Sequence, residues 1–165
     1  HKLDALIQIN SHTTTVLQAT LDKASASGIS CHVERKNHAG MGDTIAAAVA
    51  ANQAADGWLM LPADMPLVPI AVILAVAKGL KSADICVPMF EGERGHPVGF
   101  PKACLNDLLA LAGDEGARTL LQKFKIKKIH VDELPGVTLP EGCLIDMDTV
   151  QDLEKINNLI FSRRP

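Results

Sequence analysis

Residues 58–66 read WLMLPADMP, and this stretch decides the fold class. The apolar part, residues 58–62, is typical of a short buried strand, and the loop that follows it carries Asp64 between two prolines. A long apolar run over residues 68–81, opened by Pro69, predicts a helix. Strand, loop and helix in this order predict one unit of an α/β fold, with Asp64 just beyond the strand.

The same alternation of short apolar stretches and helical patterns extends to both sides of this unit. It predicts further strands over residues 5–10, 29–33, 84–89, 97–100, 126–131 and 143–145. It predicts further helices over residues 13–26, 44–55, 102–112, 117–124 and 150–160. Strands that alternate with helices predict a mostly parallel sheet with helices on both faces, in which ligands bind beyond the carboxyl ends of the strands.

Length and composition fit one domain, residues 1–165, with an aliphatic core. The chain has 165 residues, of which 47% are apolar and only 3% aromatic. Its 16 Lys+Arg against 19 Asp+Glu give a net charge of -3, which offers no broad cationic surface to nucleic acid. A small nucleotide remains compatible with this charge, because backbone amides and one bound cation neutralise its phosphates.

Cysteine spacing and hydropathy indicate the compartment. The four cysteines are far apart and form no Cys-x-x-Cys pair, which predicts reduced thiols in the core. No stretch approaches the ~20 apolar residues that span a bilayer, and the first residues lack a signal-peptide pattern. We therefore expect a cytoplasmic protein without a membrane partner.

Three aspartates are candidate metal ligands. Asp64 and Asp146 each follow a predicted strand, and the carboxyl ends of parallel strands meet at one edge of a sheet. Asp148 lies two residues further on and faces the same side if the chain is extended. Mg²⁺ takes one or two protein carboxylates and completes its shell with water and phosphate oxygens. The alternatives are turn chemistry at Asp64 and capping of the last helix, which we favour for Asp152 and which also competes at Asp148.

A glycine-bearing loop, residues 37–44, reads NHAGMGDT and stands between a predicted strand and an Ala-rich helix. Backbone amides at a helix N-terminus bind anionic ligands, so this loop is a candidate nucleotide site. The alternative is a plain turn with Thr44 or Asp43 as the helix cap.

Two further loops, residues 92–97 and 113–118, read GERGHP and GDEGAR. Each carries one arginine, whose guanidinium suits phosphate oxygens. The alternative is that Arg94 lies on a solvated hairpin and that Arg118 pairs with Asp114 or Glu115. Among the histidines only His96, between Gly95 and Pro97, lies in one of these two loops.

Together these motifs occur in the order seen in the molybdopterin nucleotidyltransferases, the MobA-like and MocA-like guanylyl- and cytidylyltransferases. Residues 37–44 resemble the family's loop of Asn, a spacer and Gly-Met-x-x-Ser/Thr. Residues 61–66 resemble its strand ending in Asp-x-Pro, and residues 94–97 match its Gly-His-Pro turn. Residues 113–118 and 145–152 resemble the remaining two signatures, so the resemblance covers nearly the whole chain.

The resemblance implies a Rossmann-like, three-layer fold of the nucleotide-diphospho-sugar transferase type. It implies that Asp64 and Asp146 hold Mg²⁺ on a nucleoside triphosphate, with Asp148 as a further candidate ligand. The implied nucleotide-binding residues are Asn37, Gly40, Met41, Gly42, Asp43 and Thr44. The implied acceptor-binding residues are Arg94, Gly95, His96, Pro97, Asp114 and Arg118.

The implied reaction is attack of a phosphorylated acceptor, molybdopterin cofactor in the first place, on the nucleotide α-phosphorus with release of pyrophosphate. The form GMGDT in residues 40–44 looks more like the cytidylyl branch, which favours CTP over GTP. A sugar-phosphate or polyol-phosphate nucleotidyltransferase resembles the same architecture. A nucleotide-binding module without catalysis is the non-enzyme alternative.

The chain departs from the family pattern at its start. The family begins with a strand and a Gly-rich loop that bears Arg and Lys and wraps the triphosphate, and no segment here matches them. Residues 1–3 run almost directly into what resembles the family's second strand. The resemblance therefore implies an N-terminally incomplete domain, whose exposed strand edges favour a partner chain or a homo-oligomer.

Overall fold

The computed structural model describes residues 2–9, 12–82 and 84–162, and it starts with a hairpin. Strand β1 (Leu6–Ile9) pairs antiparallel with β2 (His12–Thr15), and helix α1 (Val16–Ala26) follows directly. The predicted strand over 5–10 is confirmed for β1, and Asn10 lies outside the described residues. The helix predicted from residue 13 begins later, because the β-branched threonines before it extend as β2.

The remaining helices and strands of the described residues alternate only in part. The helices are α2 (Met41–Ala50), α3 (Ile70–Gly79), α4 (Leu105–Leu109), α5 (Leu120–Lys123) and α6 (Val150–Ser162). The strands are β3 (Gly57–Met60), β4 (Ile85–Phe90), β5 (Glu93–Arg94), β6 (Val98–Pro101) and β7 (Ile126–His130). They include three consecutive strands, β4 to β6, and two consecutive helices, α4 and α5. The predicted α/β class is confirmed.

Strands β3 to β7 form one central sheet. Strand β6 lies between β3 and β4 and is antiparallel to both, while β7 pairs with β4 in parallel. Strands β3, β4 and β7 therefore run in the same direction, and their carboxyl ends share one edge of the sheet, which is where ligands are expected in such folds. The short β5 forms an antiparallel hairpin with β4. Among the described strands only β4 and β7 form a parallel pair, so the sheet is mixed and the expectation of a mostly parallel sheet is wrong, because β6 inserts antiparallel between β3 and β4.

Side chains alternate along β4 between two apolar layers, as expected for a strand buried on both faces. Ile85 and Val87 belong to a cluster that contains residues of β3, β6, α2 and α4. Cys86 points to the other face and packs with Val72 and Val76 of α3. The prediction of helices on both faces of the sheet is thus confirmed.

A third apolar cluster joins the hairpin, α1 and α6 to the two aspartate-bearing loops. Ile7, Val16 and Ile156 pack there with Leu67, which follows Asp64 in sequence, and with Met147, which follows Asp146. Burial of these neighbours fixes the backbone on which both aspartates stand.

Two predicted strands are wrong. Residues 29–33 have no regular structure, and three of them, Ser30, Cys31 and His32, are exposed, so they offer no buried face for pairing. Residues 143–145 also form no strand, because a 3₁₀ turn (Pro140–Cys143) ends there. The backbone of this segment forms isolated hydrogen bonds to neighbouring loops, at Cys143 and Met147, instead of the repeated hydrogen bonds of a paired strand.

Several predicted helices have different bounds. Helix α2 begins at Met41 with Gly40 as its N-cap, so the expected caps Thr44 and Asp43 lie inside it. The helices predicted over 102–112 and 117–124 each begin with a 3₁₀ turn and end as the shorter α4 and α5. Helix α3 has Pro69 as its N-cap and passes into a 3₁₀ turn (Leu80–Ser82).

The cysteines are all free, and three of them are buried. Burial raises the pKa of the Cys104 thiol and that of the Cys143 thiol to about 11. Cys31 is exposed, so the expectation that it is a core thiol is wrong. None of the helices in the described part of the chain combines the length and the apolar character that crossing a membrane requires.

Adjacent residues of α3 give a matched test of the packing. Ile73 is 4% exposed and Leu74 is 46% exposed. We expect Ile73→Ala to lower the free energy of unfolding by about 2–5 kcal/mol, because it leaves a cavity. Leu74→Ala should change it by about 0.5 kcal/mol or less. Urea unfolding measures both, and equal effects would contradict the described orientation of α3.

Thiol labelling tests the burial of the cysteines. We expect iodoacetamide at pH 8 to modify Cys31 in the native protein and to leave Cys104 and Cys143 unmodified, because burial keeps both thiols protonated and inaccessible. In urea all cysteines should react. Mass spectrometry of the labelled peptides gives the result, and rapid native labelling of Cys104 would contradict the core described above.

Candidate functional site

A turn that contains Gly95 and His96 is held between strand β4 and the segment before Asp146. The Gly95 amide donates to the carbonyl of Pro88 at 2.8 Å, and the His96 amide donates to the carbonyl of Cys143 at 2.8 Å. A Cβ atom at position 95 would lie 2.6 Å from the Cys143 carbonyl oxygen. Only glycine therefore allows this close approach of the two backbones.

The loops that carry Asp64 and Asp146 are joined directly. The Met147 amide donates to the Asp64 carbonyl at 3.0 Å. Met65 and Met147 are buried, whereas Asp64 is half-buried and Asp146 is exposed. The backbones are therefore anchored, and the two carboxylates stand on neighbouring segments beyond the carboxyl end of β3.

The His96 side chain lies next to these loops. Burial lowers the pKa of His96, while the nearby backbone of Met60, at the end of β3, and the charges of Asp146 and Asp64 raise it. Its Nδ1 atom is buried and has no hydrogen-bond partner among the described residues. The peptide bond between His96 and Pro97 is cis.

The donor set of this region suits a hard divalent cation. Carboxylate oxygens are the ligands that Mg²⁺ and similar ions prefer, and one or two of them suffice. In the described part of the chain, no group of three His, Cys, Asp or Glu side chains is arranged to hold a metal ion. Asp148 therefore does not complete a three-carboxylate site with Asp64 and Asp146, and the pair would take its other ligands from water and phosphate.

The segment after Asp146 is fixed by the cap of α6. The Asp152 carboxylate accepts from the Thr149 amide at 2.8 Å, from the Thr149 hydroxyl at 2.7 Å and from the Asp148 amide at 3.2 Å. The Thr149 hydroxyl accepts from the Asp152 amide at 3.2 Å. The hydrogen bond from the Thr149 side chain, first of all, lowers the pKa of Asp152. The predicted capping by Thr149 and Asp152 is confirmed.

The candidate nucleotide loop and the 113–118 loop contact each other. The Gly42 amide donates to the Gly113 carbonyl at 2.8 Å, and the Gly113 amide donates to Oδ2 of Asp43 at 2.9 Å. A Cβ atom at position 42 would lie 2.7 Å from backbone atoms of Ala112 and Glu115. One carboxylate oxygen of Asp43 therefore holds the two loops together.

The N-terminus of α2 presents small and apolar groups. Met41 is 63% exposed, and its Sδ atom lies 3.3 Å from where a Cβ atom of Gly116 would be. The Thr44 hydroxyl donates to the Gly40 carbonyl at 2.9 Å, inside the first turn. Because α2 reaches β3 through the short connection 51–56, its N-terminus lies towards the carboxyl end of β3 and hence on the side of Asp64.

Glu34 organises the segment ahead of this loop, and no motif in the sequence singles it out. Its carboxylate accepts from the Lys36 amide at 2.9 Å and lies 3.6 Å from Nε2 of His32 and 3.4 Å from Nε2 of His38. The Lys36 amide, first of all, lowers the pKa of Glu34 to about 2. In the sequence, only the alternation of His32, Glu34 and Lys36 indicates that Glu34 contacts neighbouring charged groups. Asn37 follows and is exposed.

The polar residues expected near an acceptor are on the surface. Arg94 lies on β5, and Arg94, Asp114 and Arg118 are all exposed. Neither arginine forms an ion pair with a residue in the described ranges, so Arg118 does not pair with Asp114 or Glu115. Arg94 does occupy the solvated hairpin that the sequence allows as an alternative.

Comparison with known proteins gives a curated relative that matches most of this chain. Purine catabolism protein PucB of Bacillus subtilis (strain 168) is 30% identical over 129 residues, which cover 77% of this chain and 60% of PucB. The chain thus spans about three fifths of the length of that relative.

Solved structures share the fold at lower identity. Rv0371C of Mycobacterium tuberculosis H37Rv, in a complex with manganese, has a TM-score of 0.69 at 21% identity, covering 93% of this chain and 90% of that chain. Molybdopterin-guanine dinucleotide biosynthesis protein A from Archaeoglobus fulgidus has a TM-score of 0.69 at 14% identity, covering 98% and 91%.

The family itself is shown by a match over most of the sequence. The model of the MobA-like NTP transferase domain matches residues 1–129, which include both glycine loops, Asp64 and the turn at His96. The motif order read from the sequence and the folds of the solved structures agree with this match. The chain belongs to the family of MobA-like NTP transferase domains.

Proposed function

We propose that this domain transfers a nucleoside monophosphate from a nucleoside triphosphate to a phosphorylated acceptor and releases pyrophosphate. The observation that carries the proposal is the direct bond between the loops of Asp64 and Asp146, on the sheet edge that also receives the N-terminus of α2. The family match supports the reaction class. A cytoplasmic location, where nucleoside triphosphates are available, belongs to the same proposal.

Asp64 and Asp146 are the proposed ligands of a divalent cation, Mg²⁺ in the first place. When bound, this ion neutralises charge on the triphosphate and on the departing pyrophosphate. Asp148 is the alternative to Asp146 as the second ligand, and its own amide donates to the Asp152 carboxylate. The manganese found with Rv0371C, which shares this fold, supports a divalent cation without selecting magnesium.

The loop at residues 37–44 is the proposed nucleotide site. Amides at the start of α2 would receive the ribose and phosphate oxygens, with Asn37 and Gly40 on the same side, while the Gly42 amide holds the 113–118 loop through its bond to Gly113. The exposed Met41 side chain would pack against the base, while Asp43 and Thr44 keep the loop in shape through their bonds to Gly113 and Gly40. CTP remains our first choice of base, on the form GMGDT.

The acceptor is proposed to bind between the turn formed by Gly95, His96 and Pro97 and the loop of Asp114 and Arg118. The guanidinium groups of Arg94 and Arg118 are exposed and make no ion pair with described residues, so they suit an acceptor phosphate. A molybdopterin-type acceptor is the first candidate, since a protein with this fold is named for molybdopterin-guanine dinucleotide biosynthesis.

The aspartate pair gives the direct test of this function. We expect Asp64→Asn and Asp146→Asn each to lower kcat/KM by about 100-fold to 1,000-fold, because charge stabilisation at the transferred phosphate is lost. The measurement is pyrophosphate release by the full-length protein with Mg²⁺, CTP or GTP, and molybdopterin cofactor. Asp132→Asn, an exposed carboxylate after β7, is the matched control and should behave like the wild type.

The outcomes of this assay separate the alternatives. Pyrophosphate release with CTP alone supports a cytidylyltransferase, and release with GTP alone means that the donor is GTP and not CTP. Release only with a sugar phosphate or a polyol phosphate means that the acceptor is of that class and not molybdopterin. Nucleotide binding without release from any acceptor would contradict the proposed catalysis and leave a binding module.

Met41 tests the position of the base. Removing its exposed apolar side chain by Met41→Ala should raise KM for the nucleoside triphosphate about 10-fold, because the apolar area that the base covers is lost. The kcat should stay close to the wild-type value, since the contact is the same in ground and transition states. Leu74→Ala removes an exposed apolar side chain from α3 and is the control. An unchanged KM for Met41→Ala would place the base elsewhere.

A further inference from the structure

The Asp43 side chain joins the proposed nucleotide loop, residues 37–44, to the loop of residues 113–118, which we call the acceptor loop. Asp43 lies in the first turn of α2, and its Oδ2 atom accepts a hydrogen bond from the Gly113 amide at 2.9 Å. The two residues are 70 positions apart in sequence. Gly113 is the first residue of the acceptor loop, so the carboxylate holds the start of that loop against the helix.

The main chains at this junction are also in close contact. The Gly42 amide donates to the Gly113 carbonyl at 2.8 Å. A Cβ atom at position 40 would collide with the same carbonyl, and one at position 42 would lie 2.7 Å from backbone atoms of Ala112 and Glu115. Gly113 is exposed and has a φ of 57°, so its position depends on these contacts rather than on burial.

The charge of Asp43 argues against a direct contact with the triphosphate. A carboxylate repels phosphate oxygens, so it is a poor ligand for them unless a cation lies between. Its bond to the Gly113 amide is instead a charge-assisted hydrogen bond, which is stronger than one between neutral groups. The side chain therefore fits a role in holding the two loops together better than a role in holding the phosphates.

We propose that Asp43 is a positioning residue that couples nucleotide binding to the placement of the acceptor loop. This inference rests on the proposed function and deepens it. A nucleotide that orders the N-terminus of α2 also orders Gly113 through the carboxylate. The acceptor then meets Asp114 and Arg118 in the placement that the nucleotide has set. Asp43 thus acts through Gly113 and not through contact with a reacting atom.

Such coupling is reciprocal, because the linkage between two binding events acts equally in both directions. A nucleotide that strengthens acceptor binding is itself bound more tightly when the acceptor is present, by the same factor. Couplings of this kind typically amount to about 5-fold to 150-fold in affinity. The coupling favours the complex that holds both substrates, which is the complex that the transfer requires.

The Glu115 amide reports on the acceptor loop without touching Asp43, because it donates to the Ala112 carbonyl at 3.3 Å. Its hydrogen exchange therefore measures how often the loop opens. With saturating Mg²⁺ and CTP and no acceptor, we expect exchange of this amide in the wild type to slow by about 5-fold or more. The measurement is NMR-detected exchange on the ¹⁵N-labelled full-length protein, repeated with GTP.

Three variants separate the side-chain link from the main-chain contacts. In Asp43→Ala the bond from Gly42 to Gly113 remains and alanine favours the helix, so the protein should fold, while nucleotide should slow the exchange by less than about 2-fold. Asp43→Asn keeps a side-chain oxygen that accepts from Gly113 and should keep most of the slowing. Asp132→Ala removes an exposed carboxylate after β7 and should behave like the wild type.

Two measurements on the same samples make the comparison valid. Calorimetric titration with the nucleotide establishes that each variant is saturated, and thermal unfolding identifies any variant that is not folded. Should Asp43→Ala not fold, Asp43→Ser takes its place, because the serine hydroxyl is one atom shorter than the carboxylate and does not reach Gly113.

The outcomes distinguish this inference from the proposed function. If bound nucleotide slows the exchange in folded Asp43→Ala as much as in the wild type, or does not slow it in the wild type, the coupling is wrong and the nucleotide site stands. If folded Asp43→Ala no longer binds nucleotide, the carboxylate is a nucleotide ligand and the positioning assignment is wrong. If the wild type binds neither CTP nor GTP, the nucleotide site is wrong and the inference falls with it.

Discussion

The backbone contact between the Asp64 loop and the Asp146 loop is the constraint on which the arrangement of the site depends. A hydrogen bond from the Met147 amide to the Asp64 carbonyl joins two segments that are far apart in sequence. It is kept in place by apolar burial on both sides, since Met65 and Met147 belong to the interior while the aspartates do not. The carboxylates of Asp64 and Asp146 thus face solvent at the sheet edge, while their backbone is anchored by buried neighbours.

The rest of the site is built from similar loop contacts. Asp43 reaches the Gly113 amide across 70 residues of sequence, and the Gly42 amide bonds to the same residue. In the turn of Gly95 and His96, one amide donates to the Pro88 carbonyl of β4 and the other donates to the Cys143 carbonyl. These two loop contacts accompany the bond between the Asp64 and Asp146 loops.

Sequence patterns predict the parts of the fold that depend on local burial. The apolar stretches of β3 and β4 and the caps at Thr149 and Pro69 are visible because their signals lie within a few residues. Residues 29–33 mislead because Ile29 and Val33 are apolar, yet no neighbouring strand in the described structure pairs with them. Residues 143–145 are apolar and buried, which predicts a strand, but they are buried by contacts with loops, and the sequence pattern does not distinguish such contacts from strand pairing.

The motifs of the candidate site are visible in the sequence. The bond of Asp43 to Gly113 and the contacts of Glu34 are not, because they depend on distances that only the folded chain supplies.

The glycine contacts at positions 42 and 95 have a consequence for how such a domain changes its specificity. Both contacts are between main chains, so the frame of the site does not depend on the side chains that point away from it. Exposed positions such as Met41, Arg94 and Arg118 are then free to be exchanged while the loops keep their places. A scaffold of this kind can acquire a new donor or a new acceptor through a few surface substitutions, and selection or design can act on those positions without first rebuilding the core.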